Sequence, residues 1–411
     1  MEKYFPFTPF AGKRIHLGVT GSVAAYKALD FLRACVKIGL RVNVTLTASA
    51  QRFVSALSFR SLGADAVYTS MFCADHALVA EQFDPFPHLT PMAEAESLVI
   101  LPASATSMAR IAQGLADEIL SAQALAFLRT IIFAPAMNPR MWKNSATKAN
   151  CQTLRSMGHL VLEPDEGLVA CKEEGKGKLT DLRAIYLTML SLLAPQDLAG
   201  KKILITLGPT REAWDGVRYW TNPSTGLMGA SFAIASMLRG AEVDAVCGPG
   251  CPWLPPQIRR YDVGSAKEML ESCSRLWDSM DIGVFTAAVA DFSPEPFGAE
   301  KFKKDSRTTN LEIKFTPNPD ILATLAARKK PEQKIIGFAA ETSNLEKNTL
   351  DKLKRKNADI LIGNVVGKKE CAFGSSSNRV FIADKTGNAD HWNTLPKPDI
   401  AWKVLDWLLR L

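Results

Sequence analysis

The sequence predicts an α/β protein built as two successive doubly wound domains, and three observations carry that expectation. Short apolar runs rich in β-branched residues alternate with stretches of helical periodicity along the whole chain. Those runs lack polar alternation, as strands buried on both faces of a parallel sheet do. The alternation is interrupted at LAPQDLAGKK (193–202), a Pro- and Gly-bearing stretch that reads as a linker, and then begins again. At roughly 100–200 residues per domain, 411 residues hold two or three domains. The expected domains are residues 1–194 and 195–411.

The first domain's expected strands are IHLGV (15–19), RVNVTLT (41–47), SLVILPA (97–103), TIIFAPA (130–136) and HLVLEP (159–164). Helical patterns lie near 23–37, 107–126 and 181–193. The second domain repeats the scheme in a Rossmann-like series: KILITLG (202–208), AEVDAVCG (241–248), DIGVFTAAVA (281–290), KIIGFAAE (334–341), ADILIGN (358–364) and RVFIAD (379–384). Residues 292–318 carry Pro, Lys and Gly and read as a loop or lid over a site.

With 47% hydrophobic and 22% charged residues, each half has the material for its own core. The net charge of +7 is spread over both halves without a basic arm. This argues against nucleic acid as a partner and suits small anionic ligands. The eight cysteines include no CxxC pair, so reduced thiols in a cytoplasmic protein are expected. No apolar run is long enough to span a membrane, and MEKYFPFTPFAGKR lacks the apolar core of a secretory signal.

Ligands of open α/β sheets bind beyond the carboxyl ends of the strands. The first strand runs into Gly21 and Ser22 at a helix start, a place for a phosphate. The second ends at Thr47, and the third presents Ser104 and Thr106. The fourth leads into PAMNPRMW (135–142), where Asn138 offers an amide. His88 follows the Pro-rich DPFP, and Cys171 sits in the Gly- and Lys-rich ACKEEGKGKL (170–179). Each position has a plain alternative: a ligand-free turn, a loop packing Met and Trp, a structural histidine, an incidental surface thiol.

Together GSVAAYK, PASATSMARIAQGLAD, PAMNPRMW and the cysteine segment resemble the flavin-dependent cysteine decarboxylases over most of residues 13–180. That resemblance implies a flavodoxin-like domain with FMN contacts at Gly21, Ser22, Thr47, Ser104 and Thr106. It makes His88 the active-site histidine, Asn138 the binder of the substrate carboxylate, and Cys171 a proton donor on a flap. The flap departs from the family in having Lys172 where Gly is usual and Lys178 where Arg is usual. A cysteine carboxylate has no electron sink for the carbanion that CO2 loss leaves, and FMN supplies one.

In the second domain STGLMG (224–229) opens a helix and is neither a Walker loop nor a GxGxxG fingerprint. EKFKK (300–304) and the pair Lys352 and Lys356, one helical turn apart, supply positive charge beside strand ends. Asp291 in AAVADF stands at a strand end, fit for Mg2+ or a ribose. With RYWTNPSTG, NPDI and GFAAET, these motifs resemble phosphopantothenate–cysteine ligase over about residues 200–385. The resemblance implies that Asn222 serves an acyl-nucleotide intermediate, that Arg218 assists it, and that Lys301 is the catalytic lysine. It implies that Ala287, Asp291, Lys301, Asn318, Pro319, Asp320, Ile321, Phe338, Lys352 and Lys356 line the nucleotide site, with Mg2+ at Asp291. Phe292 stands where the family has Tyr.

The order of the two halves is similar to that of the bifunctional coenzyme A proteins of bacteria. This implies phosphopantothenate, cysteine and CTP as substrates, and ligation followed by decarboxylation. It also implies a homo-oligomer with trimeric flavin domains and dimeric ligase domains, up to a dodecamer. Two rivals make different demands. A nicotinamide dehydrogenase requires a GxGxxG with an acidic residue about 20 positions on, which is missing. A regulatory flavoprotein without catalysis sheds the histidine or the flap cysteine, whereas His88, Asn138 and Cys171 are all kept.

Overall fold

The computed structural model describes residues 4–72, 84–303, 310–341, 343–365 and 375–411. His76, Cys73, Cys371, Lys304 and Thr342 lie outside them. The chain divides between Ala194 and Pro195 into two compact units, and residues 4–7 group with the second. Residues 4–7 therefore pack with the second unit, although they precede the first in sequence. Phe7 is fully buried and meets Trp402 edge-on at 5.8 Å.

The first unit is built on strands β1 (Arg14–Val19), β2 (Arg41–Leu46), β3 (Ala66–Tyr68), β4 (Ser97–Ala103), β5 (Ile131–Pro135) and β6 (Leu160–Val161). They form a parallel sheet in the order β3-β2-β1-β4-β5-β6. This is the doubly wound order of dinucleotide-binding sheets, and the expected flavodoxin order is what remains without the short edge strand β3. At three residues β3 is too short to show a period in sequence. The expected helix 107–126 is two helices, Ala105–Ala112 and Ile119–Ala126, separated by a turn in which Gly114 takes φ +68°. Leu98, Ile100, Phe133, Trp142 and Leu154 anchor one core beneath the sheet. His16 sits in the middle of β1, fully buried, with Nε2 2.7 Å from Thr45 Oγ1. It is structural, and burial pulls its pKa down to about 3.

A hairpin follows the sheet, β7 (Asp165–Leu168) against β8 (Glu174–Lys178), and its turn carries Cys171. β8 can lie flush on the chain after β5 because it is glycine-rich. A Cβ at Gly177 would stand 2.4 Å from Met137 O. Met137 N donates to Gly177 O at 3.0 Å.

The second unit contains β9 (Lys202–Leu207), β10 (Arg211–Ala213), β11 (Tyr219–Thr221), β12 (Glu242–Cys247), β13 (Arg259–Asp262), β14 (Ile282–Phe285), β15 (Phe292–Pro294), β16 (Phe315–Pro317), β17 (Lys334–Glu341), β18 (Ile360–Val365), β19 (Ser377–Asp384) and β20 (Ala389–Pro396). Eight of them form one sheet, β13-β12-β9-β14-β17-β18-β19-β20, parallel as far as β18 and antiparallel at β19 and β20. The stretch 292–318 is not wholly loop, because β15 and β16 pair as an antiparallel ribbon. The expected linker is also part of this unit. Leu198 is buried, and Asp197 receives a hydrogen bond at 2.6 Å from Arg239, itself buried and also paired with Asp406 at 2.7 Å. A buried guanidinium needs such partners to offset its desolvation. No helix among the described residues is long and apolar enough to cross a membrane.

Candidate active sites

In the first unit, Ser22, Asn138 and Cys171 line one cavity of about 380 Å³, together with Tyr26, Lys27, Leu168 and Lys178. Gly21 turns the chain out of β1, and a Cβ there would meet Ser49 Cβ at 2.4 Å. Ser22 caps the following turn by accepting from Ala24 N at 3.3 Å, and its hydroxyl donates to Ala136 O at 3.3 Å. Thr47 is buried, accepting from Ala50 N at 3.2 Å. Ser104 caps the helix Ala105–Ala112, and its own N–H donates to Thr20 Oγ1 at 2.8 Å. Thr20 in turn donates to Pro102 O at 2.7 Å, so the ends of β1 and β4 are tied together. Thr106 is exposed on that helix. Thr47, Ser104 and Thr106 stand at neighbouring strand ends but do not line the cavity.

Asn138 caps the short helix Pro139–Lys143, and its side chain reaches the flap. Its Nδ2 donates to Cys171 Sγ at 3.2 Å and to Glu173 Oε2 at 3.0 Å, while Oδ1 accepts from Arg140 N at 2.8 Å. The two residues expected to bind and to protonate the substrate are thus in contact. Arg140 Nε donates to Glu173 Oε2 at 3.1 Å, and its Nη2 pairs with Oε1. Glu173 and Arg140 were not singled out from sequence: in EEGKGK a carboxylate reads as solvated surface. His88 lies in the turn before the helix Thr90–Glu94, half-buried, and does not line this cavity. Its Nδ1 is buried without a hydrogen-bond partner.

A flavin fits these residues. The cavity that Ser22, Lys27 and Asn138 line lies beyond the carboxyl ends of β1 and β5, where an open α/β sheet takes its ligand.

In the second unit a cavity of about 550 Å³ is lined by Asn222, Ala287, Asp291, Asn318, Pro319, Asp320, Ile321, Phe338, Lys352 and Lys356. Nine of the ten residues expected at the nucleotide, all but Lys301, are therefore in one place, and Thr206 and Arg355 join them. Asn222 Nδ2 donates to Ala288 O at 3.3 Å and Val289 O at 3.0 Å, fixing the loop after β14. Asn318 Nδ2 donates to Ala290 O at 2.8 Å, and Asn318 N donates to Asp291 O at 2.8 Å. Asp320 caps the helix Ile321–Ala326 and pairs with Lys356. Burial lowers the Lys356 ammonium below its ordinary pKa, with the charge of Asp291 opposing. Lys352 donates to Glu341 at 2.5 Å. Burial works against ionisation of Glu341, but Lys352 and Asn348 outweigh it and hold the carboxyl below its usual range.

Arg218 and Lys301 are not in that cavity. Arg218 lines a second one of about 460 Å³ with Trp214, Tyr219, Trp220, Phe302 and Phe315. Its Nη1 donates to Asp215 at 2.8 Å and to Phe302 O at 3.3 Å, and Phe302 N donates to Asp215 at 3.0 Å. Lys301 is exposed immediately before Phe302, so the Asp215–Arg218 turn holds its segment. Gly216 permits that docking, since a Cβ there would lie 2.1 Å from Ala299 O. Asp291 and Asp320 provide carboxylates beside the ammonium groups, a donor set that suits a divalent cation shared with phosphates. Among the described residues no cluster of three or more His, Cys, Asp or Glu is close enough to hold a metal by itself.

Two family models match the chain: Flavoprotein over residues 8–193, and DNA/pantothenate metabolism flavoprotein C-terminal domain over residues 198–411. The coenzyme A biosynthesis bifunctional protein CoaBC of Bacillus subtilis (strain 168) is 36% identical over 403 residues, covering 97% of each chain. The protein of the same name from Escherichia coli (strain K12) is 36% identical over 380 residues, covering 92% of each. A solved C-terminal domain of a CoaBC protein aligns at 35% identity with a TM-score of 0.44, covering 52% of this chain and 96% of that one. With two domain models in the same order and relatives alike over nearly the full length, the chain belongs to the family of bifunctional coenzyme A biosynthesis proteins.

Proposed function

We propose that the chain makes phosphopantetheine from phosphopantothenate and cysteine in two consecutive steps, ligation in the second unit and decarboxylation in the first. The observation that carries the reading is the contact of Asn138 with Cys171 at 3.2 Å inside a strand-end cavity of a Flavoprotein-family domain.

In the ligase step a carboxylate oxygen of phosphopantothenate attacks the α-phosphorus of CTP, and pyrophosphate leaves. The amine of cysteine then attacks the acyl carbon and CMP leaves, giving the amide. Lys352 and Lys356 place positive charge against the phosphates, and Asn222 shapes the loop that faces them. Mg2+ would be held between Asp291 and phosphate oxygens, neutralising charge on phosphorus. Lys301 and Arg218 act from the neighbouring turn on the acyl-nucleotide.

In the decarboxylase step FMN would lie along Gly21, Ser22, Thr47, Ser104 and Thr106. When bound, it supplies the two-electron sink that makes loss of CO2 from a cysteine carboxylate feasible. Asn138 orients the substrate carboxylate by its amide. Cys171 delivers a proton from Sγ to the carbon that lost CO2, and the flap excludes water. His88 reaches the substrate from a second copy of the chain, which makes a homo-oligomer part of the proposal. These are reactions of soluble metabolites, and the reading places the protein in the cytoplasm.

Two variants separate the halves. Cys171→Ser is expected to form the amide and consume CTP normally but to yield at least about a hundredfold less phosphopantetheine, the scale of one lost proton donor. Lys301→Gln is expected to lose CTP consumption while still decarboxylating supplied phosphopantothenoylcysteine. Product formation by the first at the normal rate, or CTP turnover by the second, removes the assigned role.

A further inference from the structure

Asn138 has two amide donors, and the flap takes both: Cys171 Sγ at 3.2 Å and Glu173 Oε2 at 3.0 Å. Arg140, two residues on, adds a fork of donors to the same carboxylate. The groups placed to receive a substrate carboxylate are therefore already holding one. Glu173 is brought there by the tight flap turn, in which Val169 N donates to Glu173 O at 2.9 Å and Lys172 N donates to Val169 O at 2.9 Å. Close docking of β8 fixes the turn on the helix start, since a Cβ at Gly175 would stand 3.1 Å from Pro139 Cβ.

We propose that Glu173 is a positioning residue of the decarboxylase site: its carboxylate holds the Asn138 amide, yields it to the substrate carboxylate, and takes it back once that group has left as CO2. The proposal rests on the reading that Asn138 binds the substrate carboxylate. Exchange of one carboxylate for another on the same donor keeps the type of hydrogen bond, so admitting substrate costs little. Two carboxylates cannot share the donor, because like charges at contact repel. The decarboxylated product has no carboxylate to offer Asn138, so Glu173 takes the amide back without competition from it. Asn138, opposed by desolvation and joined by Arg140, keeps the Glu173 carboxyl below its ordinary pKa, so the group is charged at neutral pH.

The test uses FMN-loaded full-length protein and two ligands that lack the thiol and cannot be oxidised. One is phosphopantothenoylserine, which keeps the carboxylate; the other is its ethanolamine counterpart, which does not. Glu173→Gln removes the competing charge and frees Arg140. The carboxylate ligand is expected to bind about tenfold tighter relative to the other, the scale of one charged hydrogen bond. The ethanolamine ligand's Kd is expected to stay within about twofold of the parent's. Glu173→Asp keeps the charge and is expected to leave the ratio near that of the parent, and it serves as the control for flap integrity. A purely structural flap contact changes both dissociation constants together and leaves the ratio fixed, which would overturn the proposal, as would an unchanged pair. If the parent protein binds neither ligand and releases no CO2 from phosphopantothenoylcysteine, the reading of the site fails instead.

Discussion

His16 shows how a titratable side chain can be structural and still leave a signature in solution. It is fully buried on β1 against Thr45, and burial lowers its pKa from 6.5 to about 3. Between those values the unfolded chain takes up a proton that the folded chain refuses. The stability of the first unit should therefore fall as pH drops from about 6.5 toward 3, and level off below. Over that window the loss is on the order of 5 kcal/mol, at about 1.4 kcal/mol per pKa unit. His16→Gln should flatten the slope, read as the urea midpoint of the first unit's unfolding at several pH values; an unchanged slope would assign the pH dependence to other groups. At this scale the sequence was legible where chemistry and position coincide in a motif, as in Asn138, Asp291 and Asn318. It was not legible at Glu173, because the side chain that donates to that carboxylate, Asn138, is 35 residues away.

At the scale of elements, the flap carries the clearest departure from its family. Lys172 takes φ +64°, the left-handed region where glycine is usual. A side chain there costs about 1–2 kcal/mol, partly offset because glycine loses more freedom on folding. Lys172→Gly should close the flap more firmly, slowing amide exchange over residues 169–175 by up to about fivefold. Faster exchange would show that Lys172 makes compensating contacts. The helix Leu345–Arg355 and the residue after it place Lys352 and Lys356 on one cavity wall, as their spacing predicts. Buried parallel strands were legible because they are continuous apolar runs. β20 was not, because an edge strand with one exposed face mixes Asp, His and Asn with its single buried Trp392. The ribbon of β15 and β16 was hidden by its three-residue strands and its prolines.

Across the whole molecule, one chain carries two sites whose chemistry is complementary: one makes the amide that leaves a free cysteine carboxylate, the other removes that carboxylate. The domain series could be read from sequence because strand and helix periods alternate so regularly. The allegiance of residues 4–7 to the second unit could not, since it depends on Phe7 finding Trp402 near the other end of the chain. On the proposed reading, in which His88 reaches the substrate from a second copy, decarboxylation requires assembly. The rate per chain should accordingly fall when the protein is diluted below the concentration at which copies associate, while a constant rate through dissociation would show that one copy suffices. The most direct test of the account follows the carboxyl carbon. FMN-loaded protein is given phosphopantothenate, CTP, Mg2+ and cysteine labelled at its carboxyl carbon. The account predicts labelled CO2, CMP and phosphopantetheine in equal amounts; CMP released with the label still in the amide product, or label released without CTP consumption, would contradict it.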